Sequence, residues 1–406
     1  MPRFVALDDV SLHGKRVLVR LDINVPMRNG KIMDTTRLER SLPTVRDLVR
    51  QGAVVVILAH LGRPNGAVVP DLSLEPLAAA IAEVLAPVSV RFVPQAIGSE
   101  AAAIIADARP GTVLVLENIR FYPGEEANEL AFVRELASLG DVYVNDAFSV
   151  AHRAHASTAG LAQMLPAVAG RLMEEELNAL EGALSTPVRP VAAVVGGAKV
   201  STKIALLRNL VSKVDVLAIG GGMANTFLAA LGHDVGASLQ EPSAIATALD
   251  ILGLADEAGC RILLPTDALV APRFSADAPV QTVPATAIPA GMMILDIGPA
   301  TIGAWASVLS ECRTIVWNGP VGAFELAPFS SGTIAIAQLC VGRTLQGART
   351  VAGGGDTIAA LALAGALDKL SYVSTAGGAF LEWLEGRELP GVKALEEAAG
   401  FHLQPA

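Results

Sequence analysis

The chain has 406 residues, more than one hydrophobic core usually serves, so two domains are expected. Apolar residues make up 52% of it, with Ala, Val, Leu and Gly dominating over aromatics at 4%, which excludes a disordered chain and suits parallel sheets covered by helices. The net charge of −10 comes without any Lys/Arg run, which excludes a nucleic-acid-binding stripe.

The opening MPRFVALDDV sets acids where a signal peptide carries its apolar stretch, so a cytoplasmic chain is expected. Residues 15–21 then read as a strand, 35–51 as a helix, 53–59 as a strand, 74–85 as a helix and 112–117 as a strand. A helix over 128–138 and a short strand over 142–145 follow. A charged, helix-favouring stretch, 171–184, stops at Ser185-Thr186-Pro187. The alternation restarts with strand 191–195, helix 199–210, strand 214–219 and helix 222–231. Later strands are expected at 261–264, 314–317 and 350–352, with helices near 243–258, 332–340 and 357–364. The apolar runs at 53–59 and 191–195 are far shorter than the roughly 18–20 residues needed to span a bilayer, so they read as buried strands and no membrane partner is expected. Cys260, Cys312 and Cys340 are scattered and lack metal-ligand spacing, which fits reduced, buried thiols.

Repeated βαβ units at this spacing imply parallel sheets with right-handed crossovers. The expected fold class is α/β, with two doubly wound, Rossmann-like parallel-sheet domains joined by a central helix. The boundaries fall at 1–170, 171–186 for the helix and hinge, and 187–389. In such folds ligands sit beyond the carboxyl ends of the strands.

In the second half, strand 191–195 runs into Gly196-Gly197-Ala198-Lys199-Val200-Ser201-Thr202-Lys203 and then a helix. Glycines let backbone approach an anion, and a helix N-terminus offers free N–H groups. Lys199 and Lys203 are four apart and are expected on one face of the helix 199–210. The spacing fits neither GxxxxGK[ST] nor GxGxxG, which disfavours a P-loop enzyme and a dehydrogenase. Strand 350–352 runs into Gly353-Gly354-Gly355-Asp356-Thr357, where Asp356 either N-caps the helix or holds Mg²⁺ against phosphate. Further glycine turns at 220–222 and 374–378 follow strands, and so many in one domain exceed what packing alone asks for. Glu325, after Trp317-Asn318-Gly319-Pro320, is placed to accept from a ribose hydroxyl pair or is simply solvated.

In the first half, Asp22 and Asn24 share one face at the end of strand 15–21. Strand ends also deliver Arg63, Arg120 and Arg153 to one edge, and Arg37 lies early in the first helix. Of the 16 basic residues in positions 1–170, 14 are arginine, whose planar fork suits phosphate and carboxylate. Converging guanidiniums demand an anionic partner, and a small phosphorylated acid is the economical one. Read singly, His60, His152 and His155 fit a surface or capping role as well as a ligand role.

Taken together the motifs resemble the phosphoglycerate kinase family. They are RLDINVP at 20–26, HLGRP at 60–64, SLEP at 73–76, ENIRF at 117–121, DVYVNDAF at 141–148 and AHRAH at 151–155. GGAKVSTK at 196–203, GGGMANTF at 220–227, WNGPVGAFE at 317–325, GGGDT at 353–357 and LPGVKAL at 389–395 continue the series in the family's order. The resemblance implies reversible transfer between ATP and the carboxylate of 3-phosphoglycerate, giving ADP and 1,3-bisphosphoglycerate, with Mg²⁺, in a monomeric enzyme. It assigns Asp22, Asn24, Arg37, His60, Arg63, Arg120 and Arg153 to the acid. Lys203, Glu325, Gly353, Gly354, Gly355, Asp356 and Thr357 fall to the nucleotide, with Asp356 on the metal. Lys199 falls to the moving phosphoryl group and Arg37 to catalysis. It also implies that 390–406 return to the first domain and that a hinge near 171–186 closes. The chain departs from the family's usual pattern at Ser149-Val150 (usually Gly-Thr), at Ala376 (usually Gly) and at Ser330-Ser331, where a basic residue is usual.

Overall fold

A computed structural model describes residues 4–28 and 31–399. The chain forms two compact units, Met1–Leu177 with Glu388–Ala406, and Asn178–Arg387. Residues 400–406 of the expected C-terminal return lie outside the described residues.

The first unit is built on six parallel strands in the order Val90–Val93, Val113–Leu116, Val54–Leu58, Arg16–Leu21, Val142–Asp146, Ala167–Ala169. Val17, Leu18, Val19 and Leu21 are fully buried, as a central strand covered on both faces must be. Each such side chain contributes about 1.5–3 kcal/mol by leaving water. The order of strands along the chain reverses between Arg16–Leu21 and Val142–Asp146, where Leu21 lies beside Asp146.

The second unit repeats the plan, in the order Arg261–Leu263, Val216–Ile219, Val191–Val195, Thr314–Asn318, Arg349–Gly353, Tyr372–Ser374. Its reversal falls between Val191–Val195 and Thr314–Asn318, with Asn318 beside Val195. Trp305, Trp317, Ile315 and Ile336 fill the core on one face. A three-stranded antiparallel sheet, Gln281–Pro284, Asp267–Ala271, Met293–Ile297, was not expected from the sequence. The strands Val90–Val93 and Ala167–Ala169 and the helices Ser99–Ala106 and Pro299–Leu309 were also missed. The expected central helix is regular only over Arg171–Leu180 and widens into a π turn at Glu181–Ser185.

Candidate functional site

The reversal point of the second sheet is where backbone approaches backbone. Gly196 N–H donates to Asn318 O at 3.0 Å, and a Cβ on Gly196 would meet the Pro320 carbonyl. The chain does not enter a helix at Lys199, as the sequence suggested. Lys199 is extended, a 3₁₀ turn covers Val200–Thr202, and the α-helix is Ile204–Val211. Lys199 and Lys203 therefore do not share a helical face, because the loop runs on past the glycines before the helix can start. Lys199 is exposed. Lys203 turns inward: its Nζ donates to Gly196 O at 2.7 Å, Asn318 Oδ1 at 2.7 Å and Asn318 O at 3.3 Å. Desolvation pulls the ammonium down to about 8, with the Asp356 carboxylate acting in the opposite sense.

Gly354, at φ +103°, is the cap of helix Gly355–Leu363, so Asp356 is not the N-cap but an exposed first-turn residue. The N–H of Ile358 reaches Gly354 O at 3.0 Å, leaving those of Gly355, Asp356 and Thr357 open toward an anion. The buried hydroxyl of Thr357 donates to Gly353 O at 2.9 Å and accepts from Gly319 N at 2.8 Å. In the turn at 220–222, Gly220 N donates to Val195 O at 3.0 Å and Gly221 N to Val321 O at 2.9 Å, which braces it against the neighbouring strand and loop. Gly222, in the first turn of the helix that follows, lines the adjoining cleft.

These loops border a cleft of about 780 Å³. Leu239, Phe274, Met293, Ile294 and Phe324 line its apolar side, while Glu325 and Asp356 stand at it with carboxylates. Met293 and Ile294 come from the antiparallel sheet, so the sequence reading missed this wall. Its only signal was a short apolar stretch at 292–297 with no βαβ context. Asp296, also at the cleft, accepts from Gly332 N at 2.7 Å, Ser331 Oγ at 3.1 Å and Ile297 N at 2.9 Å. Burial pushes it up to about 7 against those donations.

In the first unit Asp22 is the hub of one cluster. Its Oδ2 receives Arg37 Nη1 at 3.0 Å and the Ser149 hydroxyl, and its Oδ1 receives Asn24 N at 3.2 Å. Asn24 Oδ1 in turn accepts from Gly62 N at 3.0 Å. A second, deeper cluster joins His60, Arg120, Arg153 and His155 to Arg20, which is fully buried. Arg120 Nη1 donates to Gly62 O at 3.0 Å. Burial, then Arg20 and Arg120, hold His60 well below the usual histidine range. Burial, then Arg120 and Arg153, bring His155 down to about 4. Both imidazoles are therefore neutral in a strongly basic setting. Arg63 is exposed and has no hydrogen-bond or ion-pair partner among the described residues.

The phosphoglycerate kinase family model matches residues 7–387. The chain belongs to the phosphoglycerate kinase family. It is 59% identical to the phosphoglycerate kinase of Ruegeria sp. (strain TM1040) over 96% of this chain and 98% of that one. Against that of Sinorhizobium medicae (strain WSM419) it is 58% identical over 97% and 99%. The solved phosphoglycerate kinase structure from Coxiella burnetii superposes with a TM-score of 0.92 at 44% identity, covering 98% of this chain and all of that one. That from Pyrococcus horikoshii OT3 gives 0.79 at 31%, again over 98% of this chain and 100% of the other.

Two departures from the usual phosphoglycerate kinase pattern have visible uses. Ser149 supplies the hydroxyl that holds Asp22, and Ser331 supplies one of the donors on Asp296. Ala376 is buried and its φ is not in the left-handed region, so its backbone does not require glycine there. Arg20 and Asp296 were not among the residues singled out from sequence, and Ser149 was noted only as a departure with no partner assigned. An arginine inside a Val/Leu strand was the one available signal, because nothing but a buried partner justifies a cation there.

Proposed function

We propose that the chain catalyses reversible phosphoryl transfer between ATP and the carboxylate of 3-phosphoglycerate, yielding ADP and 1,3-bisphosphoglycerate, the glycolytic and gluconeogenic step. The observation that carries this reading is the character of the strand ends in the two units. Those of one unit present open N–H groups, a lysine and an apolar cleft suited to a nucleotide, and those of the other a basic cluster suited to a phosphorylated acid.

In this reading Arg63, Arg120, Arg153 and His60 hold the phosphate of the acid, and Asp22 and Asn24 hold its hydroxyl. The open amides of Gly355, Asp356 and Thr357, with Gly353 and Gly354 allowing close approach, receive nucleotide phosphates. Lys203 exchanges its carbonyl partners for a phosphate oxygen, and Glu325 accepts from the ribose. A carboxylate oxygen of the acid attacks the terminal phosphorus. The new P–O bond forms as the bond to ADP breaks, and ADP leaves with the electron pair. The nucleophile is already ionised, so no general base is needed. Catalysis then consists of in-line positioning and charge neutralisation by Arg37 and Lys199. Arg37 must leave Asp22 to serve, and Ser149 keeps that carboxylate in place when it does.

No group of three or more His, Cys, Asp or Glu side chains suited to a metal occurs among the described residues. A single exposed carboxylate at a phosphate site fits Mg²⁺ carried in by the nucleotide, since that ion keeps few protein ligands. Asp356 would hold it, and the ion supplies neutralisation of phosphate charge.

The reading includes closure of the two units about residues 171–186, checked by small-angle scattering with both ligands added. It also includes a monomeric, cytoplasmic enzyme with no nucleic-acid or membrane partner. No helix among the described residues is long and apolar enough to cross a membrane.

The test is ATP turnover with 3-phosphoglycerate, coupled to reduction of the product. Arg37→Ala should cost at least about 10²–10³ in kcat with ATP affinity nearly unchanged. Absence of turnover in a wild-type protein that binds ATP would sink the assignment.

A further inference from the structure

The first unit buries a cation and an acid that the proposed reaction does not use. Arg20 and Glu125 are both fully buried, and neither sits in the usual range: burial drives the guanidinium down and the carboxyl up. They are joined in one direction. Arg20 Nε donates to Ser157 Oγ at 2.8 Å, and that hydroxyl spends its own proton on Glu125 Oε1 at 2.6 Å. Ser157 N–H donates to the other carboxylate oxygen at 3.0 Å. A further arm of the guanidinium donates to the Leu21 carbonyl, and Nη2 reaches His60 Nδ1 at 2.9 Å.

A guanidinium has five donors and no acceptor, so a hydrogen bond from Arg20 obliges Nδ1 of His60 to be the unprotonated nitrogen. The ring proton must then sit on Nε2. That nitrogen has no protein partner among the described residues. We propose that Arg20, anchored on Glu125 through Ser157, is a positioning residue that fixes His60 as the neutral Nε2–H tautomer. His60 thereby offers the acid a hydrogen-bond donor and not a charge. This rests on the proposed acid site and deepens it: the positive charge comes from the arginines, and the histidine contributes direction. Protonation of Nδ1 would set N–H against N–H beside Arg20, with Arg120, Arg153 and His155 also facing the ring. The role of Glu125 is to keep Arg20 from being an uncompensated buried charge free to swing away.

The ¹⁵N spectrum of the histidine rings in the labelled full-length protein reads the tautomer directly, with His60→Gln identifying the signals. The expected result from pH 6 to 8 is a protonated Nε2 and an unprotonated Nδ1 that do not titrate. A His60 protonated on Nδ1, or cationic anywhere in that range, overturns the proposal without any need for a variant. Ser157→Ala cuts the anchor. It should shift the His60 signals toward tautomer averaging and raise KM for 3-phosphoglycerate about three- to ten-fold, with KM for ATP unmoved. In a folded Ser157→Ala protein, an unchanged spectrum or an unchanged KM for the acid also overturns it. If the wild type showed no turnover at all, the spectrum would still report on His60, so the two failures are distinguishable.

Discussion

Lys203 holds its ammonium among three protein oxygens, at the cost of solvation, and its protonation falls off near pH 8. The unfolded chain binds that proton more readily than the native one between about 8 and the ordinary lysine value, so this side chain's drag on stability eases as pH rises through that window. A nucleotide phosphate taking the place of a carbonyl oxygen would raise the affinity for the proton. Binding of ADP at pH 8.5, where the phosphates are fully ionised, should therefore take up a fraction of a proton. Calorimetry in two buffers of different ionisation enthalpy measures it, and Lys203→Met should abolish it. No net uptake in the wild type would mean that Lys203 stays on its loop. The lysine was legible in the sequence by its glycine company. Its pairing with Asn318 was not, because that residue lies 115 positions away and meets it only once the two central strands pair.

Helices here are often capped by strands and not by their own flanking residues. Asp296 caps Ser331–Leu345 through Gly332 N, Asp267 caps Pro299–Leu309 through Thr301 N at 2.7 Å, and Asp146 receives Met173 N at 3.0 Å near the start of Arg171–Leu180. Such caps are invisible to a local search for Ser, Thr or Asp just ahead of a helix, which is why helix ends were less legible than the strand–helix alternation. The antiparallel sheet was missed for a related reason. Gln281–Pro284 is an exposed edge with no apolar run, and only its pairing to Asp267–Ala271 makes it a strand. Removing the Asp296 cap by Asp296→Ala should cost about 1–2 kcal/mol. Its pH dependence carries the sign. The folded carboxyl titrates near 7, above its unfolded value, so the native state is favoured at low pH and loses that advantage as pH rises through 7. Asp296→Asn cannot ionise, so its stability deficit against wild type should narrow between pH 4 and 7. Urea unfolding of both proteins across that range checks it, and a constant gap would show that Asp296 is ionised throughout.

At the scale of the whole chain, the first unit is completed by residues that arrive last. Helix Pro390–Ala398 buries Ala394, Leu395 and Ala398, and Gly391 N donates to Ala151 O at 2.8 Å. A Cβ on Gly391 would stand 3.0 Å from Ala151 Cα, tighter than ordinary packing, so a larger residue there would push the helix out by a few tenths of an ångström. It packs on the π turn Ala156–Gly160, the turn Leu161–Gln163 and strand Ala167–Ala169. The π turn carries Ser157, the bridge between Arg20 and Glu125, so the C-terminal helix supports the buried network from behind. Leu395 is nearly fully buried, and a Leu→Ala change at such a site costs about 2–5 kcal/mol. Loss of the whole helix should exceed what a typical domain can spare. A chain ending at Arg387 is therefore expected to lose hydrogen-exchange protection in strands Arg16–Leu21 and Val142–Asp146 while keeping it in Val191–Val195 and Thr314–Asn318. Nucleotide binding should survive and turnover should not. Retained protection in the first pair of strands would show that the first unit closes its core without its last helix.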